Sequence, residues 1–305
     1  MAKYKIIVNP AAGRGAAARS IPEAEILLSK HGLDFEFVQT ERPWHAVELT
    51  QKAVLSGVEF VVAMGGDGTV NEVINGLMRV KKSSKRDCAL GVLCVGRGND
   101  FAYGVGIPHD LEKDCHILAQ GKTRQIDVGQ VFVDDSQEGR FFGNGIGVGF
   151  DAVVGFVAAK MKYLHGFPSY LVAAIKTLLL YFNAPVTQLE YDEQKITQPS
   201  LMISIMNGQR MGGGFMMAPD AIPDDGQLDL CIAAQAGRLR LLGLMLRFMK
   251  GTQAESELIK TACASQISIK AIEGVLPAHA DGETLCTEGR QLRLELLEKQ
   301  LEIIC

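Results

Sequence analysis

Gly65-Gly66-Asp67-Gly68-Thr69-Val70-Asn71-Glu72-Val73-Ile74-Asn75-Gly76 is the stretch whose reading decides the fold. The continuous apolar run before it, Phe60-Val61-Val62-Ala63-Met64, has the length and β-branching of a buried parallel strand. After it, Val70, Val73, Ile74 and Leu77 recur at helical spacing, so a helix begins near Thr69. A glycine-rich turn between strand and helix lets backbone approach a polyphosphate without Cβ clashes. The N–H groups and dipole of the helix N-terminus then favour the anion. The negative charge of Asp67 repels phosphate, so its useful roles are to hold a metal-bound water or to fix the glycine backbone by accepting N–H bonds. A bare strand-to-helix turn is the simpler alternative for Gly-Gly-Asp-Gly alone; the flanking strand and helix favour the phosphate site.

Outward from this stretch, the residues up to about Asp127 alternate strand and helix. Strands are expected near 4–8, 34–39, 59–64 and 89–95, which makes a parallel α/β sheet with ligand loops at the carboxyl ends of its strands. Asn9, Thr40, the Gly65 turn and Gly96 would then share one edge. After Asp127 come short apolar runs, Gln130–Val133, Arg140–Phe142, Leu201–Ile205 and Leu228–Ile232, separated by Gly, Asp and Pro. They read as antiparallel β structure. Helices are expected at about 152–164, 169–182 and 238–250, and a strand over 290–297. The fold class is therefore an α/β N-terminal nucleotide-binding domain followed by a mainly antiparallel β domain with inserted helices. The boundaries are placed at 1–128 and 129–290.

Gly65-Gly66-Asp67-Gly68-Thr69-Val70-Asn71-Glu72-Val73 resembles the nucleotide signature of the diacylglycerol kinase catalytic-domain superfamily. Its Gly-Gly-Asp-Gly core is shared with NAD kinases and phosphofructokinases, so other segments have to discriminate. Asn9-Pro10-Ala11-Ala12-Gly13-Arg14-Gly15, Gly96-Arg97-Gly98-Asn99-Asp100-Phe101-Ala102, Asn207 with Gly212-Gly213-Gly214, Ala218-Pro219 through Asp225-Gly226-Gln227-Leu228-Asp229, and Asp281-Gly282-Glu283 match the lipid-kinase pattern in order. The resemblance implies that residues 291–305 return to the first domain and that ATP is held by Asn9, Thr40, the turn Gly65, Gly66, Asp67, Gly68, Thr69, Val70, Asn71 and Glu72, and Arg97. Arg97 is a departure, since the family usually has threonine there. A guanidinium could grip a phosphate bidentately or simply face solvent.

By the same resemblance, Glu283 is the general base and Asp281 its catalytic partner at the metal. Read without it, Asp281-Gly282 is an ordinary turn pair. His279, two residues earlier, reads as a surface loop histidine. Asp224-Asp225-Gly226-Gln227 is an acidic turn suited to a hard cation. The family places a structural Mg²⁺ there, matching the carbonyls of Ile222 and Gln227 and the carboxylate of Asp225; a hairpin turn without metal is the alternative. The helix over 239–250 is apolar round much of its circumference, which fits core packing or an interfacial, lipid-accepting role.

Composition narrows the class. With 305 residues the chain has room for two cores, and a net charge of −4 gives no reason to expect nucleic acid. Arg79-Val80-Lys81-Lys82-Ser83-Ser84-Lys85-Arg86 is the best local candidate for anionic headgroups, although most such runs are solvated. The seven cysteines show no Cys-x-x-Cys spacing and an odd total, so reduced thiols are expected and a zinc site or disulfide framework is not. No signal-like segment opens the sequence, and Leu171–Phe182 is too short to span a bilayer. The resemblance, with these features beside it, implies a cytoplasmic, Mg²⁺-dependent ATP:lipid kinase peripheral to the membrane, with a homodimer left open. Its acceptor is a lipid alcohol, by default diacylglycerol, giving phosphatidic acid. Two alternatives stand beside it: an NAD kinase, and a non-catalytic nucleotide- or lipid-binding protein on the same fold. A Rossmann dehydrogenase does not fit, because Gly13-Arg14-Gly15 lacks the third glycine and no acidic residue ends the second strand.

Overall fold

The structure, a computed structural model, describes residues 3–161, 167–180 and 184–305, and its chain divides into two compact units. The first comprises Met1–Val128 and Glu298–Cys305, the second Gly129–Leu297.

In the first unit β1 (Tyr4–Val8), α1 (Ala12–Lys30), β2 (Phe35–Gln39), α2 (His45–Ser56), β3 (Phe60–Gly65), α3 (Asp67–Ser84), β4 (Ala89–Cys94), α4 (Asp100–Gly104) and α5 (Leu111–Gln120) follow in turn. β1 pairs in parallel with both β2 and β3, and β3 pairs in parallel with β4, giving the order β4-β3-β1-β2. The crossover from β2 to β3 passes over β1, so the strand order reverses between β1 and β3. Ligands of open α/β sheets enter at the carboxyl ends beside such a reversal. The expected strands fall where periodicity placed them; the helix expected near Thr69 opens at Asp67 instead. Ile6, Val8, Val62, Met64 and Leu93 bury one face of this sheet against Ala17, Ala24 and Leu28 of α1 and Cys115 and Leu118 of α5. α2 packs on α3 so tightly that a Cβ on Gly76 would lie 2.5 Å from the Thr50 Cβ.

The second unit begins within β5 (Thr123–Val133) and continues through β6 (Arg140–Phe142), β7 (Gly145–Gly149), α6 (Phe150–Ala159), α7 (Phe167–Leu180), β8 (Val186–Tyr191), β9 (Gln194–Met206), β10 (Arg210–Met211), β11 (Phe215–Met216), β12 (Leu228–Ala234), α8 (Arg238–Lys250), β13 (Ile259–Ala264), β14 (Gln266–Glu273), β15 (Leu276–Ala280), β16 (Glu283–Gly289) and the first half of β17 (Gln291–Ile304). Its pairings are antiparallel. The long strand β9 serves two sheets. Gln194–Pro199 pair with β8, which continues to β14 and β17, whereas Met202–Met206 pair with β7 and β12. The period of two then sorts the side chains: Ile203 and Ile205 enter the core between the sheets with Leu189, Tyr191, Ile267, Ile269 and Leu292, while Met202 and Met206 turn to the other face. There they meet Leu178 of α7 and Leu241, Leu244 and Phe248 of α8.

The helices expected over 152–164 and 169–182 correspond to α6 and α7; their last residues, 162–164 and 181–182, lie outside the described residues. The segment expected to return from 291 divides: Gln291–Leu297 belong with the second unit, where Gln291–Glu295 pair with β14, and only Glu298–Cys305 belong with the first. Ile303 there pairs in parallel beside Leu90 of β4. Among the described residues no helix is long and apolar enough to cross a membrane.

One buried carboxylate braces the end of β4. Asp114 of α5 is fully buried and accepts the Cys94 N–H at 2.9 Å. Burial pushes its pKa from 3.8 to about 7. The folded state therefore keeps a proton that the unfolded chain has released across this window. The resulting stability is fully present below 3.8 and is lost as pH rises through about 7. Asp114→Asn, which keeps the acceptor and abolishes the ionisation, is expected to raise the melting temperature by a few degrees above that window and to leave it nearly unchanged below. Thermal melts on both sides of the window measure this; an equal effect at both pH values would mean that Asp114 does not titrate in this way.

Candidate functional site

The turn after β3 is built on close backbone approaches that side chains would forbid. A Cβ on Gly65 would lie 2.3 Å from the Thr69 Oγ1, and one on Gly96 would lie 2.3 Å from the Gly66 Cα. The loop after β1 closes on the same place: Gly13, with φ +59°, rests against the Val95 carbonyl, and Asn9 Nδ2 donates to Thr69 Oγ1 at 3.2 Å. Thr40, after β2, is fixed by its N–H bond to the Val8 carbonyl at 2.8 Å. The four loops anticipated from sequence therefore meet at one sheet edge.

α3 starts at this edge with Gly66 as its N-cap, extended and offering no side-chain cap. The end of the helix dipole is left for an anion. Asp67 accepts the Phe101 N–H at 3.1 Å, and Gly98 sits close beneath its second oxygen. It thus fixes the loop after β4 to the glycine turn, one of the two roles its chemistry allowed. Thr69 is buried, and its N–H is already bonded to the Gly66 carbonyl at 2.9 Å. Its N–H is therefore committed to the turn. Val70 and Asn71 are buried within α3; Asn71 bonds Asn75, so neither side chain presents itself at the loop surface.

Glu72 has a role that sequence alone did not show. Its two oxygens accept the N–H groups of Trp44 (2.9 Å) and Ala46 (3.0 Å), at the N-terminus of α2. Trp44 is the N-cap there, at φ +65°. Glu72 therefore acts as a cap supplied from the neighbouring helix α3. Arg97 is exposed, and its guanidinium pKa is lowered by partial burial and by the charge of Arg14. These two cations stand near each other beside the phosphate turn, an arrangement that an anion would relieve.

In the second unit Asp281-Gly282 forms the two-residue turn of the β15–β16 hairpin, with φ +48° and +84°. Positive φ at both positions is the geometry that Asp-Gly favours. Asp281 folds inward: its carboxylate accepts the N–H groups of Gly143 (2.9 Å), Asn144 (3.0 Å) and Gly145 (2.8 Å), and it is buried. It thereby anchors the start of β7 to the hairpin. Asn207 joins the anchor by donating to the Gly143 carbonyl at 2.9 Å. Glu283, at the start of β16, is exposed.

His279 is buried within β15 and is not a surface loop residue as the sequence suggested, because β7 and β16 pair on either side of it. Its Nδ1 accepts the Gly282 N–H at 3.3 Å, and its Nε2 faces Asp151 Oδ2 at 3.5 Å. Asp151 lies at the start of α6 and lines an otherwise apolar cavity of about 70 Å³ between the helices and the β9–β12 sheet. Phe150, Val154, Leu178, Met202, Leu241 and Phe248 make much of its wall. Asp151 and His279 went unrecognised because nothing local in Gly149-Phe150-Asp151 or Ala278-His279-Ala280 distinguishes a cavity wall from a loop.

The acidic turn before β12 carries Asp225, which accepts the Gln227 N–H at 3.0 Å, with Ile222 exposed beside it. Among the described residues no three His, Cys, Asp or Glu side chains are grouped to hold a metal, so a cation here would rely on carbonyls as well as Asp225. Carbonyl and carboxylate oxygens in a turn are the donor chemistry of a hard cation. Burial, with Asp225 and Asp220 nearby, pushes Asp229 up to about 6.

Residues 3–131 match the family model described as diacylglycerol kinase catalytic domain, and residues 144–305 match that of the YegS C-terminal NAD kinase beta sandwich-like domain. A diacylglycerol kinase of Mycobacterium tuberculosis is 29% identical over 285 residues, covering 93% of this chain and 89% of that protein. The crystal structure of a diacylglycerol kinase from Bacillus anthracis superposes with a TM-score of 0.73 at 22% identity, over 99% of this chain and 96% of that one. An NAD kinase from Archaeoglobus fulgidus, solved in complex with ATP, gives a TM-score of 0.51 at 13% identity, over 99% and 93% of the two chains. These structural likenesses concern the fold.

Glu72 is expected to serve the fold as the cap of α2 and not to hold the nucleotide. Glu72→Ala is expected to destabilise the protein by about 1–2 kcal/mol, the cost of two unsatisfied helix N-terminal groups. Chemical denaturation reads this, and Mg·ATP affinity should be largely kept. Unchanged stability with lost ATP affinity would reverse the assignment.

Proposed function

Because the chain belongs to the diacylglycerol kinase catalytic-domain family, we propose that it transfers the γ-phosphoryl group of ATP to the hydroxyl of a lipid alcohol, with diacylglycerol the default acceptor and phosphatidic acid the product. The observation that carries the choice of a lipid is the apolar cavity in the unit that also bears Glu283. A nucleotide acceptor such as NAD would call for polar and charged walls, whereas this cavity has one carboxylate, Asp151, and one phenol, Tyr170, among otherwise apolar side chains.

The cradle of Asn9, Thr40, the Gly65–Thr69 turn and Arg97 would hold the triphosphate, with the α3 N-terminus and the Arg14–Arg97 pair supplying positive potential. Bound Mg²⁺ would neutralise the phosphates. A structural Mg²⁺ would be held by Ile222, Asp225 and Gln227, bracing the turn before β12. In the transfer, the acceptor oxygen forms its bond to the γ-phosphorus as the β–γ bridging bond breaks, ADP departs, and Glu283 takes the hydroxyl proton. Asp281 serves this step indirectly: its three N–H bonds fix the hairpin on which Glu283 stands. His279 links that turn to the polar end of the cavity through Gly282 and Asp151. A cavity of about 70 Å³ does not hold an acyl chain, so α7 and α8 would part to admit one.

Glu283→Gln tests the assignment. Lipid phosphorylation should fall by about 10²–10⁴-fold while Mg·ATP affinity is retained. Asp67→Ala, by loosening the loop after β4, should weaken ATP binding itself. Near-normal turnover in Glu283→Gln would remove it as the general base.

A further inference from the structure

α7 and α8 bury one face each and leave the opposite face apolar. Ala173, Ala174, Thr177 and Leu178 are the inner residues of α7, while Val172, Ile175 and Leu179, at spacings of three and four, are exposed. On α8, Leu241, Leu244 and Phe248 are buried, and Leu239, Leu242 and Leu246 form an exposed stripe at the same spacing. The exposure is large, 85% at Leu239 and 56% at both Leu246 and Leu179. The helices are neighbours: Arg238 Nη2 donates to the Leu179 carbonyl at 3.3 Å. Both line the apolar cavity with their inner faces, so their outer stripes turn away from it together. Two adjacent apolar stripes are more than the scattered single residues of an ordinary surface.

Charge identifies what covers them. Neither helix contains an acidic residue, yet between them they carry Lys176, Arg238, Arg240, Arg247 and Lys250. This stands against a chain whose net charge is −4. Glu255 pairs with Arg247 at 3.0 Å; Lys176, Arg240 and Lys250 extend from exposed positions around the stripes. An apolar stripe flanked by cations is the pattern of a helix lying in the headgroup region of an anionic bilayer. The basic run 79–86, the more obvious candidate in the sequence, is largely engaged within its own unit. Lys81 bonds Asp87 and the Gln300 carbonyl, Arg86 the Leu55 carbonyl, and Arg79 lies over the Trp44 ring.

We propose that the outer faces of α7 and α8 dock the protein on an anionic phospholipid surface, with the Leu239, Leu242 and Leu246 stripe and that of Val172, Ile175 and Leu179 entering the interface. The purpose of docking rests on the lipid-kinase reading, since it would bring the cavity walled by α7 and α8 near a substrate dissolved in the membrane. The docking itself does not depend on turnover.

The test is sedimentation of the full chain with phosphatidylglycerol vesicles and with phosphatidylcholine vesicles. The wild-type protein should bind the anionic vesicles more strongly and lose binding as salt rises. Leu242→Glu with Leu246→Glu, which line no part of the cavity, should weaken that binding by about tenfold or more. A thermal melt checks that this variant is folded, and Lys176→Glu with Arg240→Glu gives a second route through exposed polar positions. Phosphorylation of a water-dispersed short-chain diacylglycerol should survive in both variants while that of vesicle-borne diacylglycerol falls. Wild-type-like vesicle binding by both variants, or indifference to headgroup charge, would overturn the proposal. So would a change of oligomeric state in the leucine variant without lipid, which would make the face a contact between copies of the chain. Retained vesicle binding with no lipid phosphorylated would uphold the docking surface and remove the kinase reading alone.

Discussion

The backbones of Gly66 and Gly96 touch, and the rest of the first unit's edge depends on that contact. No side chain fits between them, since a Cβ on Gly96 would sit 2.3 Å from the Gly66 Cα. Their approach lets Asp67 reach the Phe101 N–H, seats Asn9 against Thr69, and leaves the uncapped start of α3 at the centre of four loops. A sheet edge of this kind concentrates backbone N–H groups and a helix dipole where phosphate oxygens would lie.

The second unit solves a different problem, which is to hold one carboxylate in place while leaving another exposed. Asp281 gives up its own availability to three backbone N–H groups, and Glu283, two residues later, is thereby set at a fixed position on the hairpin. The same hairpin is tied through His279 to Asp151, the polar member of the cavity wall. A lipid alcohol has the matching form, a hydroxyl at the end of an apolar body.

The N-terminal sheet was legible because β1, β3 and β4 are largely buried on both faces and read as mainly apolar runs, and because the Gly65–Thr69 turn sits between a clear strand and a clear helix. The division of β9 between two sheets was not legible. Its first half, Gln194–Thr197, is mostly polar and partly exposed and pairs with the preceding strand β8, while the partners of its second half, β7 and β12, are set by distant segments. Long-range hydrogen bonds explain the other differences. Glu72 lies inside the motif in sequence but caps α2, which precedes it by more than twenty residues. His279 looked exposed beside a turn, yet pairing by β7 and β16 encloses it. The basic run 79–86 looked solvated, and its partners Gln300 and Leu55 are remote in the chain. Sequence motifs marked where chemistry gathers; which carboxylate acts and which merely braces depended on contacts across the fold.

The decisive measurement is transfer of label from radiolabelled Mg·ATP into a mixed panel of lipid alcohols in micelles, with NAD present as a parallel acceptor. Label is expected in the organic phase, on diacylglycerol before other alcohols. Label on NAD, or ATP binding without label on any acceptor, would contradict the lipid-kinase reading.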